Sequence, residues 1–255
     1  MRAEPPGVIM AGMPLRRTWT TFRWKEADLR ICSAAACLIV EEVKRLRAEL
    51  EQYIGRQPAF LTSLEPIELL PDAPPIAVRM AEAAAACRVG PMAAVAGAVA
   101  QMAAEKALAS GAGEAIIENG GDTWIASPDE VEIGLYAGDH PLSGRLALRI
   151  PAVRLPLSVC SSSSRFGHSL SLGDCDLATV VAASGALADA AATLAGNSVR
   201  SVDDVDATLR KLMGIDGVIG VLILKADRVG VAGDLPPLVR CADPLFPEKT
   251  FHAGA

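Results

Sequence analysis

Two alanine-rich runs, at 81–87 and 90–104, limit the folds open to this chain more than any other feature. Alanine is the strongest helix former, and its short side chain lets helices pack closely. A glycine-proline step opens the second run, which is typical of one helix ending and another beginning. The pattern therefore predicts helices at about 75–87 and 91–109, and the alanine content favours close packing of helices in this fold. No uninterrupted apolar stretch of about 20 residues indicates a membrane span, and we expect no membrane partner.

The overall composition is that of a folded globular chain. Of its 255 residues, 51% are hydrophobic and 21% are charged, which excludes intrinsic disorder. Mixed folds of this length can form one domain, and no proline- or glycine-rich linker divides the sequence. We therefore expect a single domain over 1–255, with a flexible N-terminus at 1–14 and a tail at 244–255.

Net charge and cysteine spacing argue against a nucleic-acid partner, a CxxC-type zinc site and a dense disulfide framework. The formal net charge is −6, whereas nucleic-acid binding requires a basic face, so we expect no nucleic-acid partner. The six cysteines form no CxxC pair, which argues against a zinc site of that type and against a dense disulfide framework. The first residues lack the pattern of a secretory signal, and we expect a cytoplasmic protein.

Periodicity along the chain predicts an α+β fold. Besides the two alanine-rich helices, apolar spacing predicts helices at 34–54, at 202–212 and around Asp189. Short apolar or alternating runs predict strands at 18–24, 28–31, 114–118, 123–125, 131–136, 145–150, 157–161, 177–182, 218–224 and 229–232. The expected architecture is a mixed or antiparallel sheet with flanking alanine-rich helices.

The segment Asn119-Gly120-Gly121-Asp122 lies between two apolar strand candidates. Paired glycines allow positive φ and let a backbone approach a ligand closely, and successive free N–H groups can hold a phosphate oxygen. Asn-Gly is equally a strong signal for a β-hairpin. A ligand-binding loop and a plain hairpin turn both remain open for this segment.

A serine-rich segment at 160–169 follows a predicted strand. It contains four consecutive serines, among them Ser162 and Ser163, and then Arg165 and His168. Hydroxyls, a guanidinium and an imidazole together suit recognition of a phosphate or carboxylate. The imidazole can also bind a metal or act as an acid or base. The alternative is a solvated serine loop with a structural histidine.

Asp189 and Thr193 are the polar residues of an otherwise apolar segment, 186–193. On a helix, their spacing of four places both side chains on one face. A buried carboxylate needs a donor, a cation or water. Two such oxygen ligands suit Mg²⁺, which takes one or two carboxylates and completes its shell with water and phosphates. Alternatively, the threonine bonds back to a carbonyl and the aspartate caps a neighbouring helix.

Taken in chain order, these segments resemble the ApbE family of flavin transferases, which move FMN from FAD onto a threonine of a target protein. The likeness runs from about 85 to 200 and is weak over the rest of the chain. It includes the glycine-led alanine helix, the apolar strand before the Asn-Gly-Gly loop, and the Gly-His-Ser step at 167–169. The strand at 180–184 followed by 188–193 is the closest match. There the resemblance implies that Asp189 and Thr193 bind Mg²⁺ beside the FAD diphosphate.

Other positions depart from the family pattern. The transferases carry an Ala-Lys-Gly step and a later aspartate after their glycine, whereas 92–99 has neither charge and includes Ala94 and Val99. Their Asp-Pro-Thr-Gly turn is replaced by an unrelated sequence at 169–174. The chain therefore resembles a divergent branch of the family rather than a standard transferase.

The resemblance implies a Mg²⁺-dependent transferase or hydrolase that acts on FAD or a related nucleotide diphosphate. The candidate residues are Asp189 and Thr193 for the metal; Asn119, Gly120, Gly121, Asp122, Ser162 and Ser163 for the cofactor; and Arg165 and His168 for catalysis. Two other functions remain open. One is a non-catalytic accessory protein that binds a flavin or nucleotide, and the other is an interaction protein whose alanine-rich helices form a homodimer.

Overall fold

The computed structural model describes residues 17–25, 27–163 and 173–241. Within these ranges the α-helices are α1 Ala36–Arg56, α2 Ala59–Thr62, α3 Pro75–Cys87, α4 Val95–Ala109, α5 Gly185–Ser198 and α6 Asp204–Met213. The strands are β1 Thr20–Trp24, β2 Ala27–Cys32, β3 Ala115–Asn119, β4 Asp122–Ala126, β5 Val131–Leu135, β6 Leu146–Ile150, β7 Leu157–Ser162, β8 Leu177–Ala182, β9 Val218–Lys225, β10 Arg228–Gly233 and β11 Leu238–Arg240.

The strands form two antiparallel sheets. The larger sheet has eight strands in the order β1-β2-β3-β4-β7-β8-β9-β10, and the smaller has three in the order β11-β6-β5. Strands β5 and β6 leave the large sheet after β4, and the chain returns to pair β7 with β4. As a result, β4 and β7, which are distant in sequence, lie next to each other in the large sheet.

The large sheet lies between two hydrophobic layers. On one side, Ile117 and Trp124 join a core formed with the helices, and on the other, Ile116 and Ile125 pack toward the small sheet. Side chains alternate between the two faces of a strand, so consecutive residues enter different cores. The same alternation turns Asp122 toward the helices, on the side of Trp124.

Helices α4 and α5 approach each other closely enough to exclude side chains between them. A Cβ added to Gly97 would overlap the backbone carbonyl of Gly185, and one added to Gly185 would overlap the carbonyl of Gly97. Alanines around this crossing are fully buried, including Ala100 and Ala188. The small residues predicted to permit close helix packing therefore do so here.

The predicted α+β fold is confirmed, with an antiparallel sheet and flanking alanine-rich helices. The predicted 91–109 helix begins differently, because Pro91–Ala94 forms a 3₁₀ turn before α4. The sequence did not predict α2 or β11. Helix α2 is too short to show periodicity, and β11 is a three-residue strand held by pairing with β6.

No single helix in the described part of the chain has the length and apolar character needed to cross a membrane. One bent pair, Pro75–Cys87 with Pro91–Ala109, passes the same test by length and composition when combined, with a bend of 104°. Its buried residues, such as Met80 and Ala103, belong to the helix-side core.

Candidate functional site

The segment Asn119–Asp122 forms the turn of the β3–β4 hairpin. Asn119 pairs with Asp122, and Gly120 and Gly121 make a two-residue turn with φ values of +66° and +108°. Both values favour glycine, as expected for a tight hairpin. The Asn119 amide donates a 3.3 Å hydrogen bond to the carbonyl of Ala96. The segment is therefore a hairpin turn, and its Asn119 side chain ties this turn to α4.

Asp189 lies in the second turn of α5 and faces α4. Ser184 caps the helix, its Oγ accepting a 3.3 Å hydrogen bond from the Leu187 N–H. The Asp189 Oδ2 accepts a 2.9 Å hydrogen bond from the backbone N–H of Gly97. A Cβ at Gly97 would lie 2.9 Å from the Asp189 Cβ. The missing side chain at Gly97 therefore allows the carboxylate to reach a backbone donor of α4.

Asp122 begins β4 and points into the interface between the sheet and the helices. It pairs in register with Cys160 of β7, whose Sγ lies 3.7 Å from the Gly185 carbonyl oxygen, to which it donates. Asp122 is only 8% exposed, and its Oδ1 has no hydrogen-bond partner. The Nε1 of Trp124, two residues further along the same face, also lacks one.

An unpaired polar atom in a protein interior is costly, and most such atoms have a partner. Here an acceptor, Asp122 Oδ1, and a donor, Trp124 Nε1, both lack a hydrogen-bond partner on the same face of β4. Sequence reasoning assigned Asp122 to a ligand loop and did not single out Cys160 or Trp124. The register of β4 with β7, which brings Cys160 into the cluster, has no local sequence signal.

Burial sets the acid-base properties of the site. It raises the pKa of Asp189 to about 7, against the opposing effect of the backbone N–H groups of Gly97 and Ala96. Burial, and then the negative charge of Asp189, raises the pKa of Asp122 well above its ordinary value. Burial and the charge of Asp122 also raise the pKa of the Cys160 thiol, so this cysteine stays protonated.

No ion pair joins Asp122 or Asp189 to a lysine or arginine within the described ranges. Two buried carboxylates without a basic partner favour either protonation or a cation. Carboxylate and hydroxyl oxygens are ligands that Mg²⁺ accepts, and Thr193 lies one helical turn beyond Asp189. These residues therefore have the donor chemistry that Mg²⁺ requires.

A complete metal site made only of protein side chains is not present among the residues the structure describes. No three His, Cys, Asp or Glu side chains there are arranged to hold one ion. Mg²⁺ does not need such a cage, because it usually keeps several waters and binds through one or two carboxylates and substrate phosphates.

The remaining predicted site residues lie at the end of β7 or beyond it. Ser162 ends the strand and shares the helix-facing side with Cys160, while Ser163 follows it; both serines are half-buried. Arg165 and His168 lie outside the described residues. The structure thus brings Asn119, Asp122 and Asp189 together around the start of α4 and places Ser162 at the end of β7, the strand that pairs with Asp122.

A model of the family described as AbpE bacteria matches residues 13–211. The chain belongs to this family. A UPF0280 protein of Methanocella arvoryzae is 39% identical over 233 residues, which cover 88% of this chain and 95% of that relative. A UPF0280 protein of Methanothrix thermoacetophila is 43% identical over 198 residues, which cover 76% and 81% of the two chains.

Solved structures show that this AbpE bacteria family member has the fold of flavin transferases named ApbE. The apo Pseudomonas stutzeri flavinyl transferase ApbE matches with a TM-score of 0.56 at 11% identity, covering 85% of this chain and 94% of that one. The flavin transferase ApbE of Vibrio cholerae matches with a TM-score of 0.56 at 12% identity, covering 87% and 98%. The predicted resemblance to a divergent ApbE-like branch is confirmed.

Proposed function

We propose that this chain binds Mg²⁺ together with FAD, or a related nucleotide diphosphate, and cleaves the bond between the two phosphates. An oxygen nucleophile forms a bond to the FMN phosphorus, the P–O bond to the AMP phosphate breaks, and the nucleophile loses its proton. With water as the nucleophile the products are FMN and AMP. With a threonine hydroxyl of another protein, they are a flavinylated protein and AMP.

The observation that carries this proposal is the placement of Asp189. Its carboxylate is buried, receives a 2.9 Å hydrogen bond from Gly97, and has Asp122 with an unpartnered oxygen in the same cluster. These residues come from α4, the β3–β4 hairpin and α5, three of the segments that resemble the transferases in sequence. Solved flavin transferases with this fold add to the support.

Each group has a chemical task in this proposal. Asp189 and Thr193 supply oxygen ligands to the cation, and Ser162 and Ser163 donate to phosphate oxygens beside the hairpin turn. A bound Mg²⁺ neutralises diphosphate charge and stabilises the leaving phosphate. We assign His168 to proton transfer and Arg165 to the developing phosphate charge, on the sequence pattern.

A second candidate is binding without turnover. The 92–99 segment offers no acid or base where the transferases carry a lysine and an aspartate, since it contains only apolar residues such as Ala94 and Val99, both of them buried. Neither side chain has a polar atom that could take part in proton transfer or hold an acceptor. This observation favours an accessory protein that holds a flavin nucleotide and leaves it intact.

Incubation of the purified protein with FAD and Mg²⁺ tests the first function. We expect AMP to accumulate, detected by chromatography, and Asp189→Ala to abolish its formation. Asp206→Ala is the matched control, since Asp206 is an exposed aspartate of α6 whose carboxylate pairs with Arg228. It should release AMP at the wild-type rate.

The two functions give different results in this experiment. FAD that stays intact while raising the melting temperature supports the accessory protein, since a ligand that binds the folded state stabilises it. FAD that stays intact and causes no thermal shift contradicts both. AMP formation at equal rates in wild type and Asp189→Ala contradicts the assignment of Asp189.

A further inference from the structure

We propose that Asp122 and Asp189 together hold one divalent cation in the absence of any nucleotide, with Asp122 as a second carboxylate ligand. The inference deepens the proposed function, since Asp189 belongs to both. It moves Asp122 from the nucleotide loop to the cation, and it makes cation binding independent of the diphosphate.

The backbone brings the two carboxylates into one cluster through α4. Asn119 lies directly opposite Asp122 in the hairpin, and its amide donates to the Ala96 carbonyl at 3.3 Å. The next residue, Gly97, donates its N–H to Asp189 at 2.9 Å. The peptide group that joins Ala96 to Gly97 is thus held by two hydrogen bonds. Its carbonyl accepts from Asn119, the strand partner of Asp122, and its N–H donates to Asp189.

A second connection runs through β7. Cys160 is the register partner of Asp122, and its thiol lies 3.7 Å from the carbonyl oxygen of Gly185. Gly185 stands four residues before Asp189 in α5, on the same side of the helix. Asp122 therefore faces the turn of α5 that carries Asp189.

Two buried atoms without a hydrogen-bond partner point to a hydrated cation as the ligand of this cluster. Asp122 Oδ1 is an acceptor with no partner on a side chain that is more than nine-tenths buried. Trp124 Nε1 is a donor with no partner on the same face, and Trp124 is 4% exposed. A hydrated cation meets both requirements, since the metal takes the carboxylate oxygen and a water of its shell accepts from the indole.

Charge selects a divalent ion. When both are ionised, as on binding a cation, Asp122 and Asp189 carry two negative charges, and no lysine or arginine pairs with either across the described stretches of chain. An ion such as Mg²⁺ or Mn²⁺ balances that charge and prefers oxygen ligands. A site with a single carboxylate would depend on the diphosphate for the remaining charge, whereas this pair does not.

Titration of nucleotide-free protein with Mn²⁺, with free Mn²⁺ followed by electron paramagnetic resonance, tests the proposal. We expect one Mn²⁺ per wild-type chain, and weakening by at least about 10–100-fold in Asp122→Asn and in Asp189→Asn, since loss of an outer-shell partner already costs that much. Asp122→Ala, which removes both oxygens, must show the same loss as Asp122→Asn. Asp206→Asn is the control and should bind Mn²⁺ as wild type does.

Thermal unfolding gives a second measurement without nucleotide. Mg²⁺ should raise the melting temperature of the wild type, because it binds only the folded state. Asp122→Asn and Asp189→Asn should respond less to Mg²⁺, because each variant keeps the shape of the side chain and loses one carboxylate ligand. A purely structural role for Asp122 would leave the response to Mg²⁺ unchanged.

Two outcomes overturn the proposal: nucleotide-free wild type that binds no Mn²⁺, or Asp122→Asn that binds it with wild-type affinity. Binding of Mn²⁺ only when FAD is present also overturns it, while leaving the proposed function intact. Conversely, Mn²⁺ binding that needs both carboxylates supports it even where FAD is neither bound nor cleaved, a result that defeats the proposed function alone.

Discussion

The backbone N–H of Gly97 and the carboxylate of Asp189 form a buried 2.9 Å hydrogen bond beside the close contact of Gly97 with Gly185, between α4 and α5. The bond exists because neither Gly97 nor Gly185 places a side chain between the helices. The same two glycines that permit close packing therefore also set the position of the carboxylate. Packing and the candidate site depend on one contact.

Gly97→Ala should destabilise the protein by about 1–3 kcal/mol, because its methyl group would overlap the Gly185 carbonyl and crowd Asp189. Urea unfolding measures the change. Gly55→Ala is the matched control, since Gly55 lies on the exposed side of α1 with no atom within 4 Å of an added Cβ. It should stabilise the protein by about 0.5–1 kcal/mol, as alanine favours a helix over glycine. Equal effects at the two positions would contradict the close contact.

Stability of the metal-free protein should depend on Asp189 in a defined pH range. Its pKa rises from an ordinary 3.8 to about 7 on folding, so the folded state holds the proton more tightly than the unfolded state does. The stabilisation from this group is complete below about pH 4 and is lost as the pH rises through 7. The free energy of unfolding of wild type, relative to Asp189→Asn, should therefore fall across that range.

Urea unfolding of both proteins in a chelating buffer, at several pH values between 4 and 8, measures this difference. Taking the difference cancels the carboxylates that do not interact with Asp189, such as Glu42, whose pKa is lowered by hydrogen bonding to Arg45. The charge of Asp189 also raises the pKa of Asp122, so the difference reports Asp189 together with its coupling to Asp122. A difference that stays constant, or grows with pH, would show that Asp189 is not held protonated in the folded state.

Substitution of a glycine in the hairpin turn should destabilise the protein. Gly121 has a φ of +108°, a conformation that side chains rarely adopt, so Gly121→Ala should cost roughly 1–3 kcal/mol. Gly113→Ala offers a control in a loop without a positive φ and with nothing within 4 Å of an added Cβ. Thermal unfolding compares them, and a Gly121→Ala protein as stable as Gly113→Ala would be inconsistent with this turn.

The cysteines should differ sharply in reactivity. Cys37 is exposed on α1, whereas Cys160 is buried and its pKa is raised by burial and by the charge of Asp122. A thiol reagent should label Cys37 in the native protein and reach Cys160 only on unfolding, because the thiolate is the reactive form. Mass spectrometry of labelled peptides locates the sites, and Cys37→Ser should remove the Cys37 label. Rapid native labelling of Cys160 would contradict its burial.

Local signals predicted the helices and strands well. The proline that opens the second alanine-rich run and the Asn-Gly pair at 119–120 act on their own neighbours, so the sequence alone places a helix start and a hairpin. The four-residue spacing of Asp189 and Thr193 likewise indicates a shared helix face without tertiary information.

The composition of the candidate site was harder to predict. The sequence pattern predicted Asp122 only as part of a phosphate-binding loop. Its proximity to Asp189 depends on the pairing of β4 with β7 and on the crossing of α4 with α5. Both are long-range contacts that no local pattern specifies. Cys160 resembles an ordinary strand residue until this register is known.

The excursion through the small sheet has a consequence for how the site assembles. Pairing of Asp122 with Cys160 closes a loop that contains β5 and β6, and Asp189 follows one strand later. Contacts between residues so far apart in sequence form slowly, because the closure entropy is lost before the contacts stabilise the chain. The cluster therefore forms only when the sheet is complete. A fragment that ends before α5 would contain the hairpin with Asp122 but would lack Asp189.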